Sequence, residues 1–178
     1  DGLKVGDEWG GGIVVYIDES GKRGRIMAKE ENISTVLQWS TTRFEIDSES
    51  TGYNQSTYLD DNLGRDNSQA VLDYYVSNDG SAPIFEYARD IVIEGYDDWY
   101  VPTKWELNKG LNNLSASVRE FLWTSSESFN SQGTVDGKSY TNVIALTKVN
   151  ASTYKWDLED KTLTAGKARV LPFRSFGE

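Results

Sequence analysis

The chain has 178 residues and contains six Trp, ten Tyr and six Phe, but no histidine and no cysteine. These absences exclude imidazole bases, thiolate nucleophiles, disulfides and transition-metal sites built from those side chains, so we predict no cofactor and no metal. The net charge of -10 opposes contact with phosphate backbones and anionic headgroups, so no nucleic-acid partner is expected. The length fits one domain covering residues 1–178, and no apolar run is long enough for membrane insertion.

The N-terminal segment predicts a β-hairpin. Two β-rich runs, Ile13–Ile17 and Arg25–Ala28, flank a turn-forming segment, and a glycine triplet precedes the first run. A phosphate-binding glycine loop follows a strand and opens a helix, whereas this triplet precedes a strand. The triplet therefore indicates a tight turn and not a nucleotide site.

A polar stretch from Glu31 to Arg65 predicts a long irregular loop, a type of segment that is often functional. Five oxygen-bearing side chains at and just after its end could hold Ca²⁺: Asp60, Asp61, Asn62, Asp66 and Asn67. The bidentate Glu that closes an EF-hand loop would fall at Val71. A solvated turn with a helix cap is therefore the favoured interpretation over a calcium site.

Three helices are predicted in the middle of the chain. The first begins near Ser68 and carries an apolar face of Val71, Leu72, Tyr75 and Val76. The second begins at Pro83 and ends at Gly95. Proline is suited to the first position of a helix, because the N–H that it lacks would form no hydrogen bond within the helix there. The third begins after Thr103, because Thr103 and Glu106 have the spacing of a capping box.

The last third of the chain is typical of β-strands. The run from Val143 to Val149 is apolar on both faces, which predicts a central strand. Tyr154, Trp156 and Leu158 alternate with charged residues, as in a half-exposed strand. Pro172 interrupts the run from Arg169 to Phe176, and it predicts an edge position or a bulge because proline cannot donate to a ladder.

Three stretches together carry a resemblance to a known family. They are the glycine-led segment Gly11–Asp18 with Gly21 and Gly24, the segment Gly95–Asn108, and Leu122–Glu127 followed distantly by Arg169-Val170 and Arg174-Ser175-Phe176. They resemble the bacterial surface-protein family typified by the C-terminal domain of the collagen-like adhesin Lcl. Its C-type-lectin-like fold is related to formylglycine-generating enzymes and to the variable proteins of diversity-generating retroelements. The resemblance spans nearly the whole chain, and the middle stretch is the specific one.

The resemblance implies an α+β, C-type-lectin-like fold with a twisted antiparallel sheet, two or three helices and long irregular loops. It also implies that the N-terminal hairpin pairs with the C-terminal strand. The cysteines of formylglycine-generating enzymes and the histidines of the related sulfoxide synthases are missing, which excludes their chemistry. The Glu-Pro-Asn, Gln-Pro-Asp and Trp-Asn-Asp motifs of calcium-dependent lectins are missing too, so a bound sugar need not be held by Ca²⁺.

Most residues of the middle stretch are expected to have structural roles. Trp99 and Trp123 are predicted to lie in the core, because large aromatic side chains are mostly buried. Asp97 and Asp98 could form a metal or substrate pair. The favoured interpretation is that the two point to opposite faces and that at least one caps a turn.

We expect a non-catalytic recognition or adhesion domain at the bacterial cell surface or outside the cell, with any signal or anchor beyond this segment. The expected partner is a glycan or a protein receptor. The C-terminal half mixes rigid rings with short hydrogen-bonding side chains, as antibody paratopes do, although ordinary polar loops would look the same. The predicted ligand-binding residues are Ser126, Glu127, Phe129, Asn130, Tyr140, Asn142, Tyr154 and Trp156. Among them, Trp156 is expected to be mostly buried, and Tyr140 and Tyr154 more exposed.

Two alternative functions remain. A glycan-processing enzyme could use carboxylate pairs such as Asp97/Asp98 or Glu127/Asp157, since glycoside hydrolysis requires neither His nor Cys. Such an enzyme would place two carboxyl groups across a cleft and raise the pKa of one of them. A structural spacer of a surface fibre would instead show no aromatic-lined groove.

Overall fold

The computed structural model describes residues 2–41, 63–77, 80–114, 121–127, 142–148, 154–160 and 169–177. The helices within these residues are α1 (Leu63–Ser77), α2 (Pro83–Asp90) and α3 (Lys104–Gly110). The strands are β1 (Glu8–Trp9), β2 (Gly12–Ile17), β3 (Gly24–Ala28), β4 (Phe121–Glu127), β5 (Asn142–Lys148), β6 (Tyr154–Asp160) and β7 (Phe173–Phe176). Helices and antiparallel sheets are combined, so the fold is α+β as expected.

The first sheet joins the two ends of the described chain. It contains four strands in the order β1-β2-β3-β7, and each strand is antiparallel to its neighbour. The predicted hairpin is confirmed as β2 and β3, with a register shift between Val14 and Tyr16. Its pairing with the C-terminal strand is confirmed as well. The contact is made by β3, in which Gly24 pairs with Phe176, and the run Ile13–Ile17 lies one strand further away.

The second sheet contains three strands in the order β4-β5-β6. The predicted central strand is confirmed, because β5 has a partner on both sides. At the C-terminus, β7 lies at the edge of the four-stranded sheet and begins directly after Pro172, as predicted. Pro172 cannot donate a hydrogen bond, but its carbonyl accepts one from the Ala28 N–H at 2.9 Å.

Helix α1 begins five residues earlier than predicted, at Leu63 instead of near Ser68. Its buried side is marked by Gly64, Asn67, Ser68, Val71 and Tyr75, which recur at intervals of three or four residues. The prediction that Val76 shares this face is wrong, since Val76 is 83% exposed. A step of one residue turns a helix by about 100°, which carries Val76 away from the stripe that contains Tyr75.

Helix α2 begins at Pro83 as predicted, but it ends at Asp90 and not at Gly95. Ile91 already has extended dihedral angles. Gly95 instead belongs to a tight turn with Glu94, in which both residues have positive φ, 86° and 51°. The glycine therefore marks a turn beyond the helix, because it supplies a left-handed backbone conformation at no steric cost.

The predicted capping box of α3 is confirmed. The Glu106 N–H donates to the Thr103 hydroxyl at 3.1 Å, and the Thr103 N–H donates to the Glu106 carboxylate at 3.0 Å. Both residues are buried, so these bonds satisfy donors of the first turn that water cannot reach.

Thr103→Ala is expected to lower the free energy of unfolding by about 1 kcal/mol, because it removes the acceptor for the Glu106 N–H. Urea denaturation measures the change, and Thr103→Ser is the control because it keeps the hydroxyl. A Thr103→Ala midpoint equal to that of the wild type would show that the cap contributes no stability.

Two groups of buried apolar side chains form the core. One joins α1 and α2 to Trp39, Val101 and Trp123, and the other lies between the four-stranded sheet and α3 and includes Trp99. Trp99 and Trp123 are therefore core residues, as predicted. None of the helices in the described ranges is both long and apolar enough to cross a membrane.

Candidate functional site

The second half of β4 is a buried and firmly anchored strand. Thr124, Ser125 and Ser126 are all buried. Three hydrogen bonds hold this stretch: Trp39 Nε1 to the Thr124 carbonyl at 2.9 Å, the Ser125 N–H to the Pro102 carbonyl at 2.7 Å, and the Lys104 N–H to the Ser126 hydroxyl at 3.0 Å. These bonds therefore fix the backbone of β4 up to the residue before Glu127.

The register of the three-stranded sheet brings several predicted site residues to one end. Glu127 pairs with Val143, and Asn142 pairs with Asp160. We call these four residues the Glu127 end of the sheet. Residues 128–141 connect β4 to β5 at this end, and they lie outside the described residues.

Tyr154 lies at the opposite end of the same sheet, where it pairs with Lys148. It lies six positions before Asp160 along β6, which corresponds to about 20 Å of extended chain. Trp156 pairs with Leu146 between the two ends. The predicted ligand-binding residues therefore do not all meet at one point, since Glu127 and Asn142 are together and Tyr154 is remote from both.

Ser126 is 4% exposed, and its hydroxyl accepts the hydrogen bond from the first residue of α3. Its observed contact thus joins β4 to the start of that helix. Phe129, Asn130 and Tyr140 lie outside the described residues. The side-chain exposures expected for Tyr140, Tyr154 and Trp156 stay predictions.

A buried polar network lies beneath the four-stranded sheet. The Arg25 Nε donates to Glu106 Oε2 at 2.7 Å, and the Tyr100 hydroxyl donates to the same oxygen at 2.5 Å. Burial raises the pKa of Glu106, and the Arg25 guanidinium opposes that rise. The pKa of Tyr100 is raised well above its usual value, first by burial and second by the negative charge of Glu106. The phenol therefore stays a neutral hydrogen-bond donor.

This network combines a carboxyl group, a phenol and a guanidinium. In enzymes, carboxyl groups and phenols can transfer protons, and guanidinium groups can stabilise negative charge. All three side chains are buried, and Glu106 is 0% exposed. Glu106 also completes the cap of α3 and accepts from Arg25 and Tyr100. The network therefore holds α3 against the sheet, and its hydrogen-bonding groups are buried.

Asp97 and Asp98 have different surroundings. The Arg174 guanidinium binds both oxygens of Asp98, at 2.7 and 3.2 Å, and donates to the Gly10 carbonyl at 3.0 Å. It also lies 4.0 Å from the centre of the Tyr96 ring, in cation–π geometry. Asp98 therefore has a structural role, but that role is an ion pair with Arg174 and not the predicted turn cap.

Asp97 lines a cleft that sequence reasoning did not find. The cleft encloses about 210 Å³ between α1, α2 and the segment 97–100. Its lining residues are Arg65, Ser68, Gln69, Leu72, Phe85, Arg89, Asp97, Asp98, Trp99 and Tyr100. Because three separate segments form its walls, no single motif of the sequence could have revealed it.

No group of three or more Asp and Glu side chains is arranged to hold a metal ion within the described ranges. Asp66 and Asn67, two members of the predicted oxygen-rich cluster, lie in the first turns of α1 and differ in exposure. Asp66 is exposed, whereas Asn67 is buried and donates to the Ser125 hydroxyl at 3.3 Å. Asp60, Asp61 and Asn62 lie outside the described residues.

No protein-family model matches the chain, and no curated protein matches it.

Proposed function

We propose that the chain is a non-catalytic recognition domain of a bacterial surface protein or phage-related adhesin, which binds a glycan or a protein receptor outside the cell. The binding surface is the Glu127 end of the three-stranded sheet together with residues 128–141. The supporting observation is the register that brings Glu127 and Asn142 to the same end. Binding residues commonly lie on loops that a rigid scaffold positions, and β4 is such a scaffold.

The proposal includes a C-type-lectin-like fold. Its support is the resemblance together with the four-stranded sheet, in which the N-terminal hairpin and the C-terminal strand are hydrogen-bonded neighbours. In this arrangement the two ends of the described chain lie in one sheet. In this proposal, the three-stranded sheet and the segments that connect its strands make the contact with the ligand.

The carboxylate-based enzyme is the weaker alternative. Glycoside hydrolysis needs two carboxyl groups across a cleft, one of them with a raised pKa. Burial raises the pKa of Glu106, but that carboxyl has no access to solvent. Asp98 is held by Arg174 in a two-point ion pair, so the predicted pair Asp97/Asp98 does not offer two available carboxylates.

The structural spacer is the third class, and ligand binding distinguishes it. A spacer needs a stable fold and no specific contact surface. An aromatic anchor in residues 128–141, such as Phe129 or Tyr140, would have no function in a spacer, whereas in a recognition domain it is a source of binding energy.

The experiment is to screen the purified domain on an array of glycans and of extracellular host proteins, and to recover each bound glycan for mass analysis. We expect saturable binding to a restricted set of related molecules, with the bound glycan recovered intact. Cleaved glycan would favour the enzyme, and the absence of binding to any glycan or protein on the array would favour the spacer.

A further inference from the structure

The cleft between α1, α2 and the segment 97–100 is independent of the Glu127 end and has its own chemistry. We infer that it binds a small zwitterion with an apolar body, the class represented by a free α-amino acid with an aliphatic side chain. The inference rests on the lining of the cleft, the charges at its rim, the rigidity of its walls and its size.

The floor of the cleft is apolar. Leu72 comes from α1, Phe85 from α2, and the rings of Trp99 and Tyr100 from the segment that leads to α3. Phe85, Trp99 and Tyr100 are buried core residues whose inner sides contact the two apolar clusters. Such a floor favours a ligand that buries an alkyl group, because removing apolar surface from contact with water lowers the free energy.

The rim carries charges of both signs. Arg65 on α1 and Arg89 on α2 contribute guanidinium groups, and Asp97 contributes a carboxylate. Asp98 also lines the cleft, but its charge is paired with Arg174. Asp97 is exposed and has no hydrogen bond or ion pair with another residue that the structure describes. Arg89 binds both oxygens of the neighbouring Asp90, at 2.7 and 3.1 Å, but side-chain exposures of 51% and 65% leave both partners open to solvent, so a ligand carboxylate can compete for the guanidinium.

These charges select against simple ions. A ligand with a single positive charge could pair with Asp97 but not with Arg89, and a ligand with a single negative charge could pair with Arg89 but not with Asp97. A zwitterion satisfies both, because its carboxylate can take two parallel hydrogen bonds from an arginine and its ammonium can donate to Asp97.

The walls are fixed before any ligand arrives. The Ser68 hydroxyl accepts from the Val101 N–H at 3.0 Å and donates to the Val101 carbonyl at 3.3 Å, which fixes α1 to the segment beside the cleft. The ion pair with Arg174 fixes Asp98, the residue next to Asp97. A preformed site loses little conformational entropy on binding.

The volume limits the size of the occupant. Sites for drug-sized ligands enclose roughly 300–1,000 Å³. At about 210 Å³ this cleft is smaller, and it suits a single amino acid better than an oligosaccharide or a folded peptide.

The experiment is calorimetric titration of L-leucine into the full chain, with amide chemical shifts recorded in parallel. N-acetyl-L-leucine removes the ammonium charge, L-leucinamide removes the carboxylate, and a methyl glucoside tests a neutral sugar. We expect millimolar or tighter binding of L-leucine, at least about tenfold weaker binding of both blocked forms, and shifts at Gln69 and Asp97.

Two variants test the contacts. Asp97→Asn and Arg89→Gln are each expected to weaken L-leucine binding by about tenfold or more. Arg23→Gln is the matched control, because it also breaks an exposed Arg–Asp pair but lies between β2 and β3, and it is expected to leave binding unchanged.

Three results would overturn the inference: no binding of L-leucine, equal binding of a blocked form, or L-leucine binding that survives both Asp97→Asn and Arg89→Gln. Binding of the glucoside without L-leucine, with amide shifts at Gln69 and Asp97, would show that the cleft takes a sugar instead. Each of these results leaves the proposed function of the Glu127 end unaffected, since the two surfaces share no residue.

Discussion

Arg25→Met is expected to lower the free energy of unfolding by about 3–5 kcal/mol, because it leaves the Glu106 carboxylate buried without its cation. The ion pair is 2.7 Å long, and the two side chains are 1% and 0% exposed. Glu106 is 0% exposed, so bulk solvent cannot replace the guanidinium at that oxygen. Urea denaturation of the variant measures the loss.

Two further variants identify the cause. Arg23→Met removes an arginine from an exposed pair with Asp18, in which the arginine side chain is 56% exposed, and is expected to cost less than about 1 kcal/mol. The double variant Arg25→Met with Glu106→Gln removes the buried charge and should cost less than the sum of the single variants. A loss below about 1 kcal/mol in Arg25→Met would show that the pair is not the main connection between α3 and the sheet.

Gly64→Ala is expected to lower the free energy of unfolding by about 2–3 kcal/mol, although alanine favours helices by about 1 kcal/mol over glycine. A Cβ at this position would overlap the Glu106 carboxylate, and it would come within 2.8 Å of the Tyr100 ring. Both neighbours are held by the buried network, so neither can move without loss of a hydrogen bond.

The control for this variant lies on the same helix. Gln69→Ala removes only a contact with Asp73 on the exposed side of α1, and it is expected to change stability by no more than about 0.5 kcal/mol. If Gly64→Ala were as stable as the wild type or more stable, the close approach of α1 to Glu106 would be wrong.

The parts of the fold that local chemistry determines were predictable from the sequence. Pro83 marks the start of α2, and the spacing of Thr103 and Glu106 marks the start of α3, because each signal lies within one turn of helix. The end of α2 was less predictable. Gly95 is a helix-ending residue by type, but here it supplies the left-handed conformation of a separate turn.

Contacts between distant segments could not be derived from residue patterns alone. Arg25 and Glu106 are 81 positions apart, and nothing in the sequence distinguishes this buried arginine from the exposed Arg23 nearby. The pairing of the N-terminal hairpin with the C-terminal strand was expected from the family resemblance and from the β-rich runs nearest the termini, but the expected run was Ile13–Ile17 and the strand that pairs with β7 is β3. The two aspartates 97 and 98 look equivalent in the sequence, and only the position of Arg174 separates their roles.

The candidate site was predictable in part. Glu127 and Asn142 belong to strand ends that the register brings together. Tyr154 was assigned to the same site because alternation along β6 indicates a face of the sheet but not a position along it. The cleft beside Asp97 was missed because its charges come from three segments, and each segment alone looks like an ordinary polar surface.

The most direct test of recognition at the Glu127 end compares two tyrosines, using the array molecule that gives the strongest signal. Tyr140 belongs to the segment that joins β4 to β5 at that end, whereas Tyr154 begins β6 at the opposite end. Near-UV circular dichroism first confirms that Tyr140→Ala and Tyr154→Ala both fold. We predict that Tyr140→Ala weakens binding by about 2 kcal/mol, a factor of roughly 30, and that Tyr154→Ala leaves it unchanged. Full binding by Tyr140→Ala, together with loss of binding in Tyr154→Ala, would contradict the account.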